Sequence, residues 1–83
     1  MKPDELNIVI ASPEGTVFKG KASSIIVPGA KGRFTVLPQH APIISLLGKG
    51  TIACVPVGGD EQNYEIKGGF IEVKANEVSI CIE

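Results

Sequence analysis

Few side chains in this sequence could do chemistry, and they are scattered. The candidates are one histidine, His40, two cysteines, Cys54 and Cys81, and Lys31, which stands in the run Gly29-Ala30-Lys31-Gly32. His40 has no acid or nucleophile beside it in sequence, so the arrangements that serve general-base or nucleophilic catalysis have no local signature. Neither cysteine has a partner at metal-ligand spacing. Each sits in a β-like apolar run, Ile52-Ala53-Cys54-Val55 or Ile80-Cys81-Ile82, and reads as a reduced core thiol in a reducing compartment. The glycines around Lys31 suggest a phosphate cradle, but that motif needs Gly-Lys-Ser/Thr leading into a helix, and here a strand follows. No Gly-x-Gly-x-x-Gly occurs. No catalytic residue, metal site or cofactor is expected.

Two segments would position these groups. In Pro28-Gly29-Ala30-Lys31-Gly32, proline presets one turn dihedral and glycine accepts positive φ, which makes a hairpin tip between two apolar runs. Pro38-Gln39-His40-Ala41-Pro42 carries a proline at each end, which bars helix continuation and gives a stiff, exposed connection that presents His40 at a defined angle. A rigid turn with no further role has the same composition.

The rest of the chain reads as short strands between turns. Leu6 to Ile10 is a first strand, closed by Ser12-Pro13-Glu14-Gly15; Thr16 to Lys21 doubles back, and Ser24 to Pro28 is a separate strand suited to burial on both sides. Gly32 to Leu37 returns from the tip with Phe34 and Val36 inward. Ile43 to Leu47 and Thr51 to Val57 follow, with Pro56 near the end of the second, where a missing N–H is tolerated at an edge or bulge. Gly58 to Glu61 turns the chain into Asn63 to Lys67. Gly68-Gly69 marks a break or bulge, or a close backbone approach by a partner, Phe70 to Lys74 resumes, and Ala75-Asn76 leads to the last strand, Val78 to Glu83. No stretch has helical periodicity over the roughly 10 residues a globular helix needs. The fold is expected to be all-β, a two-layer β-sandwich or small barrel of about eight to ten short, mostly antiparallel strands.

Eighty-three residues make one domain, 1–83, whose folding hides only roughly two thirds of the surface its unfolded chain exposes, so assembly is expected to support its stability. Eight basic residues nearly cancel nine acidic ones and form no run, which leaves no footprint for nucleic acid or an anionic membrane. The longest apolar runs, such as Pro42 to Leu47, fall far short of the about 20 residues that cross a bilayer, and Met1-Lys2-Pro3-Asp4 does not lead into a signal-peptide core. A soluble, unexported chain without direct membrane insertion is expected.

Taken in order, Ser12-Pro13-Glu14-Gly15, Val17-Phe18-x-Gly20, Pro28-Gly29-x-x-Gly32-x-Phe34-x-Val36-Leu37-Pro38-x-His40-Ala41-Pro42-Ile43, Gly68-Gly69-Phe70-Ile71-Glu72-Val73 and Asn76-x-Val78 resemble the epsilon subunit of F-type ATP synthase. The resemblance spans nearly the whole chain. It implies a two-layer β-sandwich in the central stalk, held against the gamma subunit and resting on the ring of c subunits. Such a subunit is non-catalytic and helps couple proton translocation to ATP synthesis, as a peripheral component at the cytoplasmic face of the bacterial inner membrane. It implies that Ala30, Lys31, Gly32 and Arg33 face the c ring and that His40, Ala41, Pro42 and Ile43 lie toward gamma. Two positions depart from the family. Glycine is usual where Gln39 stands, and an acid is frequent where Arg33 stands, which reverses the charge offered to the ring. Family members also commonly add a C-terminal helical hairpin; helix-based inhibition, or an ATP site at that hairpin, is not expected from these residues.

Three functions follow. A stalk subunit predicts an exposed apolar patch on one sandwich face. A swinging-arm carrier would present Lys31 at a hairpin tip, though the flanking Met-Lys-Met or Asp-Lys-Ala pattern is absent. An enzyme using His40 needs an acid or nucleophile brought near it by the fold.

Overall fold

The computed structural model describes residues 4–83, so the N-terminal reading at Met1 to Pro3 lies outside the described residues. Among the described residues eight strands follow one another without a helix: β1 Leu6–Ser12, β2 Gly15–Gly29, β3 Gly32–Val36, β4 Ile43–Leu47, β5 Gly50–Pro56, β6 Gln62–Ile66, β7 Gly69–Lys74 and β8 Glu77–Ile82. All pairings are antiparallel except that of β1 with β8, which is parallel from Asn7↔Glu77 to Ala11↔Cys81. The expected all-β sandwich is therefore the fold.

One strand differs from expectation. The segments read as two strands, 16–21 and 24–28, are a single fifteen-residue strand, β2. Drawn out, fifteen residues would reach roughly 50 Å, whereas the longest dimension of the molecule is 31 Å. The strand must bend. It does so near Ser23, where the pairing with β5 shifts register between Ala22 and Ser24. Such a shift turns the strand without breaking its hydrogen bonding. Before the bend β2 pairs with β1; after it β2 lies between β3 and β5. The first layer thus contains β4, β7, β8, β1 and the start of β2, and the second contains β3, the end of β2, β5 and β6.

The core lies between the layers. Leu6, Ile8, Ile10, Ile71, Val73, Val78 and Ile80 from one meet Ile25, Val27, Val36, Ile52, Cys54 and Ile66 from the other, all buried. Burying one such side chain contributes about 1.5–3 kcal/mol, so this cluster outweighs any polar contact in the domain. Phe18 and Tyr64 join the layers at one side, with ring centroids 6.4 Å apart. At Gly69, a Cβ would lie 2.1 Å from the Cys81 carbonyl oxygen. The close backbone approach at Gly69 is therefore made by the chain's own β8 and not by a partner.

The cysteines part company. Cys54 is buried and its thiol is pushed up by that burial, so it is inert. Cys81 is exposed, contrary to the expectation of two core thiols. β8 buries Val78 and Ile80 on one face, and period two puts Ser79 and Cys81 on the other.

Candidate interaction surface

β4 organises the surface. Its sequence, Ile-Ile-Ser-Leu-Leu, is apolar at both parities, so one apolar set must face outward whichever way the strand is turned. Leu47 is buried, whereas Ile44 and Leu46 are 79% and 70% exposed. The register extends this outward set. Leu46 pairs with Phe70, itself 45% exposed, and Phe70 pairs with Cys81, so Leu46, Phe70 and Cys81 form one row across three strands. Ile44 stands above that row, paired with Glu72. Isolated exposed apolar residues are ordinary, but a contiguous set on one face marks a surface that another body covers.

The two segments singled out in the sequence lie at opposite ends of β4, roughly 15 Å apart at the rise of a strand. At one end is the hairpin tip. Gly29 pairs with Gly32, leaving Ala30 and Lys31 as a two-residue turn, with Lys31 exposed at its apex. A Cβ at position 29 would lie 2.6 Å from the Gly32 carbonyl oxygen and 2.9 Å from the Phe34 ring, so glycine is what lets the turn close. The tip is tied to β4 and to the turn after it. The Ala30 N–H donates to the Leu46 carbonyl (2.9 Å) and the Gly48 N–H to the Pro28 carbonyl (2.8 Å). Arg33 does not project from the tip; its Nη1 donates to the Thr51 carbonyl on β5 (3.3 Å). The turns holding Lys31, Lys49 and Lys67 share this end, since Gly29, Leu47 and Gly69 are paired in line. All three lysines are exposed. The single ion pair among the described residues, Lys21 to Glu5 at 3.8 Å, lies elsewhere.

At the other end is the loop from Pro38 to Pro42. The His40 N–H donates to the Leu37 carbonyl (3.1 Å), and the His40 ring nitrogen Nδ1 lies 2.7 Å from the Ala41 carbonyl oxygen. Ala41 and Pro42 are exposed, while His40 and Ile43 are half-buried. A shallow cleft of about 750 Å³ separates this loop from the Ala75-Asn76 turn, and it is lined by Gln39 to Pro42 and Lys74 to Asn76. That lining brings no carboxylate or thiol to His40. Among the described residues no three of His, Cys, Asp or Glu gather in the manner of metal ligands.

The stalk reading of the sequence expected an exposed apolar patch on one sandwich face but did not name its residues, whose signal was the apolar character of β4 at both parities. Sequence reasoning missed Asn76, a buried polar residue whose Oδ1 accepts the Gln39 N–H at 2.6 Å. The backbone at this end is strained. Gln39, Ala75 and Asn76 have φ of +68°, +50° and +64°, and they are the three non-glycine residues at positive φ among those described. Each such residue costs about 1–2 kcal/mol, less for asparagine.

The described residues thus form a small β-sandwich that carries an exposed apolar row between two loops. Residues 5–83 match the family model described as ATP synthase, Delta/Epsilon chain, beta-sandwich domain, and the chain belongs to that family. It is 45% identical over 79 residues to an ATP synthase epsilon chain of Leptospira borgpetersenii, a match covering 95% of this chain and 61% of the relative. An ATP synthase epsilon chain of Solibacter usitatus is 38% identical over 81 residues, covering 98% and 60%. The chain thus spans about three fifths of the length of the curated relatives it matches. Among solved structures, a chain of the Euglena gracilis mitochondrial ATP synthase (OSCP/F1/c-ring, rotational state 1) superposes with a TM-score of 0.90 at 21% identity, covering 99% of this chain and 52% of that one. A chain of the Tetrahymena thermophila mitochondrial ATP synthase central stalk and c-ring gives 0.79 at 16%, covering 99% and 66%. At these identities the likeness carries the fold.

Proposed function

We propose that this domain is a non-catalytic part of the central stalk of an F-type ATP synthase. It is held against the gamma subunit, rests on the ring of c subunits among the other subunits of the complex, and helps couple proton translocation to ATP synthesis. In this reading it is peripheral, at the cytoplasmic face of a bacterial inner membrane. The apolar row and the His40, Ala41, Pro42 and Ile43 end of β4 meet gamma, while Ala30, Lys31, Gly32 and Arg33 meet the ring. The observation that carries the reading is the exposed row of Ile44, Leu46 and Phe70, which a subunit buried against a neighbour needs and an isolated domain does not. The rigidity of the two loops suits the transmission of torque.

Mixing the chain with gamma of the same source tests the reading. A one-to-one complex is expected, in which Cys81, labelled by iodoacetamide in the free chain, becomes shielded. Replacing both Ile44 and Leu46 by Asp should leave the fold within about 1 kcal/mol, since neither side chain is in the core. Affinity for gamma should fall at least about 100-fold, the size of a hot-spot loss. Separate peaks for the wild-type chain and gamma, or Cys81 labelled equally in both states, would overturn the reading.

A further inference from the structure

Gln39, Ala75 and Asn76, the three strained residues, all line the same cleft. Strain of this kind persists only where the surroundings over-determine it, and it concentrates at sites whose geometry is used. The two sides of the cleft are held differently. Ala75-Asn76 is a two-residue turn with both φ values positive, between Lys74 and Glu77, which are paired in the ladder; it is fixed on both sides by strands. The loop from Leu37 to Pro42 has no ladder of its own. It is fastened where Asn76 Oδ1 accepts the Gln39 N–H at 2.6 Å. Asn76 is in turn anchored to β1, because its carbonyl accepts the Asn7 N–H at 2.8 Å. One residue therefore ties the β3–β4 loop to the β7–β8 turn and to the first strand.

We propose that Asn76 is a positioning residue for partner binding. By holding Gln39 in the left-handed region, it presents His40, Ala41 and Pro42 in the single arrangement that gamma recognises. This rests on the stalk reading above. Positive φ is unfavourable for a glutamine; the turn bond from the His40 N–H to the Leu37 carbonyl and the bond to Asn76 Oδ1 both favour it, and a return of Gln39 to negative φ would re-aim every residue from His40 to the start of β4. Binding would then have to select the productive loop from a mixture, and the apparent affinity falls by the fraction that remains competent.

Amide hydrogen exchange, thermal melting and gamma affinity, measured on the full chain, test the proposal. In the wild-type protein the Gln39 amide is expected to be as protected as the amides of β4; exchange at the rate of an open loop would overturn the latch without any variant. Asn76→Gly keeps the left-handed turn and removes the amide group. It should speed Gln39 exchange at least tenfold and weaken gamma binding about tenfold at a temperature where the chain is still folded. Gln39→Gly makes positive φ costless at 39, so in that background Asn76→Gly should cost less than about threefold. An unchanged affinity for Asn76→Gly, or an equal loss in both backgrounds, would overturn the positioning role while leaving the stalk reading intact. Failure of the wild-type chain to bind gamma would instead overturn the stalk reading, and this role with it.

Discussion

The two ends of β4 are both rigid, and they are rigid for different reasons. At the tip the sequence fits the backbone. Ala30 and Lys31 turn without positive φ, and Gly29 supplies the space a side chain would fill. At the other end the sequence resists the backbone. Gln39, Ala75 and Asn76 sit in a left-handed conformation that only one of the three tolerates well, and a partly buried hydrogen bond restrains the loop. A fitted turn fails when something is inserted into it. A restrained loop fails when its restraint is removed, and it gains stability when the resistance is relieved.

The largest effect is expected at the tip. In Gly29→Ala the new Cβ would meet the Gly32 carbonyl oxygen and the Phe34 ring at distances no real contact shows, and both neighbours belong to the hairpin itself. Relief requires parting β2 from β3, so a loss of about 2–3 kcal/mol is expected, as for overpacking a well-filled site. In a domain of this size that lowers the melting temperature by roughly 10–20 °C. A fall of less than about 3 °C would show that the tip yields and is not fitted.

A smaller effect concerns charge at the same end. Lys31, Lys49 and Lys67 stand on adjacent turns without an ion-pair partner among the described residues, whereas Arg33 is drawn back to the Thr51 carbonyl. If the tip meets the ring, Lys31→Glu with Lys49→Glu should weaken ring binding by the assembled stalk about tenfold at low salt, or about 1.4 kcal/mol. Gamma binding should not change, and the difference should shrink as salt rises toward 1 M, where screening acts within about 3 Å. Arg33→Glu should do less than Lys31→Glu. The opposite order would place Arg33, and not the apex lysine, at the contact.

The contrast between the ends also explains what could be read from the sequence. The tip was legible because its turn chemistry is local: Pro28, Gly29 and Gly32 each act within a residue or two of themselves. The all-β character was legible from period-two runs and turn residues. The continuity of β2 was not, because a bulge at Ala22-Ser23-Ser24 breaks the alternation just as a strand end would. The exposure of Cys81 and of Ile44 and Leu46 was hidden because apolar residues at both parities do not say which set faces the core. The cationic end was hidden because its lysines stand eighteen residues apart, from 31 to 49 and from 49 to 67, and only the strand pairing gathers their turns. The latch was hidden for a similar reason: Asn76 and Gln39 meet across 37 residues of chain.

The smallest effect carries the sharpest sign. Gln39→Gly removes a side chain that makes the left-handed backbone unfavourable and keeps the N–H that Asn76 accepts. Relief of the left-handed penalty contributes about 1–2 kcal/mol. Glycine's extra freedom in the unfolded chain takes back about 0.5–1 kcal/mol. The net expectation is a gain of about 0.5–1 kcal/mol, seen as a rise of roughly 3–6 °C in melting temperature. This would be a glycine substitution that stabilises a loop, opposite in sign to the loss expected from removing a glycine at the tip. A fall in melting temperature would mean that the Gln39 side chain contributes contacts worth more than the strain, and the loop would then count as fitted, like the tip.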